Sequence, residues 1–238
     1  MFQVSFLNHI SKFMFLYLIL NLGSISIPLL YSIYEEKFHF IQYFKKAALS
    51  ILMVGIPFLI WDVIFTVNGF WGFNSDYHLP FLIFGLPIEE ILFFFCIPYA
   101  CLFLQESLKY YLPNLKLSKN LTNRISYGLL ISALLVFIFN YNKWYTAINF
   151  LFFIILIMYA FKKHRNALQY FYVNFLIVLI PFLIINGILT GTGVQGEVVW
   201  YNNIENLGVR IFTIPVEDIF YAFNLLLSIQ LVFNVLKN

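Results

Sequence analysis

Five acidic residues stand where acids are costly. Pro87-Ile88-Glu89-Glu90-Ile91 and Pro215-Val216-Glu217-Asp218-Ile219 each place two adjacent carboxyls just behind a proline, and Asp62 follows Trp61 inside an apolar stretch. Proline's fixed φ and missing N–H suit a helix start, so both acid pairs fall in a first turn. With 3.6 residues per turn, neighbouring side chains diverge by about 100°, and one acid of each pair can face a bundle interior while the other faces elsewhere. Pro-x-Glu is also a good helix start in its own right, because a carboxylate meets the positive end of the helix dipole. Two copies with doubled acids point beyond capping, since carboxyls at the edge of an apolar bundle are costly and tend to mark functional pathways. Asp62 likewise has two readings: a buried hydrogen-bonding link between helices, or a partner for Glu89 or Glu90, since close carboxyls share a proton.

Such carboxyls suit acid–base chemistry on an apolar substrate. A desolvated carboxyl can deliver its proton, and a neighbouring carboxylate can steady the resulting cation or take a proton back, with no redox cofactor involved. Aromatic faces stabilise cations. Trp61, Trp71, Phe93 and Phe94 accompany the first acid pair, and Trp200, Tyr201, Phe220 and Tyr221 the second. Many such rings belong to interfacial belts. The same acids also suit a small transporter or channel that relays protons or binds cations.

The rest of the chain says what positions them. Of 238 residues, 62% are apolar, 21% aromatic and only 11% charged, against about 45–50% apolar and about 25% charged in a soluble domain. That excludes a water-soluble globule and a disordered chain. The net charge of +3 is too small and too spread out for a nucleic-acid partner. The lipid bilayer is the solvent, and seven runs are long enough to cross it: roughly 13–34, 46–68, 84–106, 124–141, 144–161, 167–190 and 213–236. The first is too long for a removable signal peptide and lacks a small-residue cleavage site. All Lys and Arg except Lys12, Lys143 and Arg210 lie in loops 35–46, 107–124 and 162–166 or at Lys237. The positive-inside rule then puts the N-terminus outside, the C-terminus inside and loops 69–83 and 191–212 on the non-cytoplasmic side.

The chain is duplicated. Ile56-Pro57-Phe58-Leu59-Ile60 recurs as Ile180-Pro181-Phe182-Leu183-Ile184, ahead of the two acidic motifs, with four extra residues in the second intervening loop. The expected fold is all-α: a polytopic membrane bundle of about seven helices, in which two parallel three-helix repeats are joined by a connector helix. Residues 1–112 form the first repeat, 113–142 the linker and connector, and 143–238 the second repeat. The halves differ chemically, with Ile185-Asn186 standing where the first has Trp61-Asp62.

Some signals mislead. Gly191-Thr192-Gly193-Val194-Gln195-Gly196 spells the dinucleotide fingerprint but lacks its strand and helix, and reads as a turn. His9, His39, His78 and His164 are scattered, so no metal site is expected; only His78 is near the first acid pair. Cys96 and Cys101 frame no disulfide scaffold.

The motifs that remain, Pro87-Ile88-Glu89-Glu90 with Phe93-Phe94-Phe95, Trp61-Asp62 with Trp71-Gly72-Phe73-Asn74, and Pro215-Val216-Glu217-Asp218, resemble those of the small membrane-embedded lycopene cyclases of bacteria, archaea and fungi, over nearly the whole chain. The resemblance implies a fused two-domain enzyme in the cytoplasmic membrane of a prokaryote. It would close the ψ ends of lycopene, an apolar polyene held within the bilayer, into β-ionone rings, giving β-carotene without the flavin of the unrelated soluble-type cyclases. It further implies Glu89, Glu90, Glu217 and Asp218 as the acid and base carboxylates, with Asp62 in support. A non-catalytic carotenoid-binding protein would keep the aromatic groove and tolerate loss of the acids.

Overall fold

The computed structural model describes residues 13–237, which leaves His9 and Lys12 outside the described residues. Among the described residues seven helices are long and apolar enough to cross a membrane: α1 Leu16–Tyr34, α2 Phe44–Val67, α3 Ile88–Tyr111, α4 Lys119–Phe139, α5 Trp144–Lys163, α6 Arg165–Leu189 and α7 Val216–Lys237. In hydrocarbon every backbone N–H and C=O must pair within its own segment, so apolar runs of this length become helices. Helices α1, α2, α3 and α6 carry an internal proline at Pro28, Pro57, Pro98 and Pro181. Bundles tolerate these because neighbouring groups re-pair the freed carbonyls.

Each repeat is built alike. Its first helix packs on its third, α1 on α3 and α5 on α7, while α2, α3, α6 and α7 make the contact between halves. The connector α4 packs outside, on α5 and α6. The two repeats are parallel, as the order of motifs requires.

Hydropathy alone extends the third and seventh spans too far back. Leu82–Ile83 (β2) and Leu86–Pro87 (β3) form a tight ribbon before α3, and Arg210–Ile211 (β5) and Ile214–Pro215 (β6) repeat it before α7. At their tips Phe84 and Phe212 take φ of 52° and 57°, so Phe84-Gly85-Leu86 is apolar yet cannot be helical. The fingerprint-like glycines behave as a turn: Gly191, Gly193 and Gly196 all have positive φ in the loop that holds the four extra residues.

One strand pair fixes how the halves meet. Trp71–Phe73 (β1) pairs antiparallel with Val199–Tyr201 (β4), placing Trp71 opposite Tyr201, Gly72 opposite Trp200 and Phe73 opposite Val199. The repeat offset of 128 residues that relates Glu89 to Glu217 makes Gly72 and Trp200 each other's equivalent. A rough twofold axis along the bundle therefore passes through this pair, and its asymmetry is steric: a Cβ at Gly72 would run into the Trp200 indole. Gly72→Ala is expected to lower stability by about 1–3 kcal/mol, the usual cost of overpacking. Trp200→Ala in the same chain should restore most of it, as read from thermal unfolding in detergent; no recovery would mean that the ring is not what the methyl meets.

Candidate active site

The roughly 100° between neighbours in a first turn splits each acid pair into two environments. In the first half Glu89 turns toward the preceding loop. Leu79 N–H donates to its Oε1 at 2.8 Å, and Asn21 of α1 donates to its backbone oxygen at 2.8 Å. Glu90 turns inward and accepts a hydrogen bond from the Tyr17 hydroxyl. The second half repeats the scheme. Leu207 N–H and Thr146 Oγ1 donate to Glu217 Oε1 at 2.7 and 2.6 Å, and Asn149 donates to its backbone oxygen at 2.7 Å. Asp218 turns inward and accepts from Tyr145 at 2.6 Å, Tyr201 at 2.8 Å and Asn186 at 2.9 Å. All four acids are buried.

The fifth acid joins them. Trp71 Nε1 donates to Asp62 Oδ1 at 2.6 Å, and Asp62 lines the same cavity as Glu90. Asp62 Oδ2 has no hydrogen-bond partner among the described residues. At the Asn186 position of the second half, an amide that donates to Asp218 replaces this acid. One half thus presents a carboxyl pair and the other a single carboxyl held by three donors. Tyr201 lies in β4, outside the spans; burial, then the neighbouring Asp218, pushes its phenol well above the usual range, so it stays an O–H donor.

Asp62, Glu90 and Asp218 meet at one end of a cavity of about 350 Å³, at the small end of the 300–1,000 Å³ usual for ligand pockets. Elsewhere its lining is almost wholly apolar. One wall runs down α3 from Glu90 through Phe94, Ile97 and Cys101 to Leu104, and the facing wall runs along α6 from Leu189 through Asn186, Ile185 and Pro181 to Val178. At 1.5 Å per residue the α3 wall is roughly 20 Å long. Ser24, Ile27 and Pro28 of α1 close the groove only partly.

The groove lies on one side of the twofold axis. Its counterpart between α2 and α7 is filled by rings. Trp61 lies 5.0 Å from Tyr221, Phe58 5.2 Å from Tyr221, and Phe152 of α5 5.6 Å from Phe58. On the open side the equivalent positions are Ile185 for Trp61 and Ser24 for Phe152. Two large-to-small differences leave the space. Trp61, expected at the site, therefore serves as the plug of the closed side, whereas Trp71, Phe93 and Phe94 do line the groove.

Glu89 and Glu217 do not line the groove, and neither does His78, which is buried against the Leu79 carbonyl at 2.7 Å. No group of His, Cys, Asp and Glu suited to a metal occurs among the described residues. Sequence reasoning missed Tyr17 and Tyr145. The signal was present: Tyr17-x-x-x-Asn21 recurs as Tyr145-x-x-x-Asn149 at the same offset of 128 that relates the acidic motifs.

A family model described as lycopene cyclase matches this chain twice, over residues 14–108 and 142–236. The two matches fall on α1–α3 and α5–α7 and together cover well over half of the sequence. Neither the curated proteins nor the solved structures provide a match.

Proposed function

The chain belongs to the lycopene cyclase family, and on that premise we propose that it closes the ψ end groups of lycopene into β-ionone rings by acid–base chemistry of its own carboxyls, without a flavin. The observation that carries the proposal is the apolar groove, long and narrow, that ends against Asp62, Glu90 and Asp218. A linear polyene fits such a groove lengthwise, with its end group at the acids and its remainder toward the lipid beside α1 and α6. The seven apolar helices are compatible with an integral membrane protein. Family membership argues for the cytoplasmic membrane of a prokaryote, and the basic loops for an N-terminus outside and a C-terminus inside.

The two halves divide the work. Neighbouring carboxyls share a proton, and Asp62 and Glu90 face the same end of the groove, so the Asp62–Glu90 pair is the proton donor. Protonation of the terminal double bond yields a tertiary cation. The next double bond attacks it, closing the ring and moving the charge onto a ring carbon. Trp71, Phe73, Phe93 and Tyr221 border this space, and their ring faces steady the charge. Loss of a proton to Asp218 then forms the ring double bond, with no net change in protons or electrons. Return of that proton to the Asp62–Glu90 pair restores the site. Glu89 and Glu217 act as positioning residues: each ties the first turn of its helix to the preceding loop and so aims the acid beside it.

Expression in a bacterial host that accumulates lycopene tests the proposal. Chromatography against acyclic, monocyclic and bicyclic standards is expected to show a cyclised product. Unchanged lycopene beside folded, membrane-inserted protein would overturn the substrate assignment.

A further inference from the structure

The end of the bundle opposite the carboxyls holds a second cavity, about 540 Å³, framed by the ends of α3, α5 and α7 and the start of α6. Its character is the reverse of the first. The floor is Gln105, Asn174 and Gln230, 2%, 4% and 7% exposed, and amides at such burial in an apolar bundle are costly unless they bind something. Gln230 is paired with Glu106 and Asn234, at 3.1 and 2.9 Å. Gln105 lines the cavity, and its Nε2 has no hydrogen-bond partner among the described residues.

The rim is cationic. Glu106 is the one acid lining the cavity among the described residues, and Lys237 already holds it at 2.5 Å, with Lys109 at 3.8 Å. Lys163 and Arg165 form no ion pair among the described residues, so the balance facing the cavity is positive. Arg165 also opens α6, whose first-turn N–H groups and dipole favour an anion. The cations come from both repeats, Lys109 from the first and Lys163, Arg165 and Lys237 from the second.

We propose that this cavity binds a phosphate group that bridges the two repeats at the end of the bundle away from the β1–β4 strand pair. A phosphate matches the Gln105 and Asn174 amides under a ring of Lys and Arg. The cavity lies at helix ends, at the depth of lipid headgroups, where basic pockets between spans take anionic lipids. The source is an anionic phospholipid or a soluble phosphate, and this site is independent of the ring-closing chemistry.

Thermal unfolding of the purified full chain in neutral detergent distinguishes them. Added phosphatidylglycerol is expected to raise the midpoint by about 2–5 °C over added phosphatidylcholine, as a ligand that binds only the folded state must. The shift should vanish in Lys163→Gln/Arg165→Gln, whose substituted side chains are exposed, and shrink in Gln105→Leu, each variant being read against its own midpoint without lipid. A shift produced by inorganic phosphate alone, and lost in the same variants, would assign the site to a soluble phosphate. No shift from either, or a shift that survives all three substitutions, would overturn the proposal.

Discussion

Glu90→Gln should abolish ring formation, lowering cyclised pigment per unit of membrane protein by about 10²–10⁴-fold, the usual contribution of a positioned proton donor. The amide keeps the size of the side chain and can still accept from the Tyr17 hydroxyl, so packing changes little while the transferable proton is gone. Glu89→Gln, one residue earlier, should keep most of the activity. Its Oε1 accepts from Leu79 N–H at 2.8 Å, a bond that a glutamine oxygen can also accept. Its effect should appear as lower stability, about 1–3 kcal/mol, because the new amide N–H is buried without an acceptor. Pigment chromatography and thermal unfolding of the two variants read these outcomes separately. Equal loss of activity from both substitutions would sink the division between an inward donor and a loop-tying acid.

The split of each pair is also where sequence and structure part company. Seven spans, parallel repeats and the connector are legible because lipid imposes a length and a composition on every crossing. The offset of 128 residues marks both acid pairs at once. Which acid of a pair faces inward is not legible, because neither helix has a clean polar face: Glu89 and Glu90 are both buried, one against a loop and one against a groove. The ribbons were hidden for a related reason. Phe84-Gly85-Leu86 and Phe212-Thr213-Ile214 are as apolar as the helices they precede, and only the positive φ at their tips separates them. Trp61 misleads in a third way. It is next to Asp62 in sequence, yet one step along a helix carries its ring to the other side of the twofold axis, where it packs on Tyr221 and Phe65.

That displaced ring suggests how the groove itself can be removed. Ser24→Phe with Ile185→Trp copies onto the open side the two residues, Phe152 and Trp61, that fill the closed one. Ring formation should fall about 10²-fold or more, because an end group kept even 1 Å from the acids loses about that much. Stability should hold or rise, since the added rings occupy existing space, and burying an aromatic side chain is worth about 1.5–3 kcal/mol. Ser24 gives up only a hydrogen bond to Leu20 within its own helix, at 2.6 Å, and Ile185 no polar contact. The opposite signs separate blockage from misfolding: inactive protein that melts no earlier than the parent means a filled groove, while inactive protein that melts earlier means a damaged bundle. Full activity in the folded double variant would show that the polyene reaches the carboxyls by another path. The position of Asp218 favours the groove. It belongs to the second repeat but, with Asn186 and Tyr201 donating to it, faces the same end of the groove as Asp62 and Glu90, so one opening serves the carboxyls of both halves.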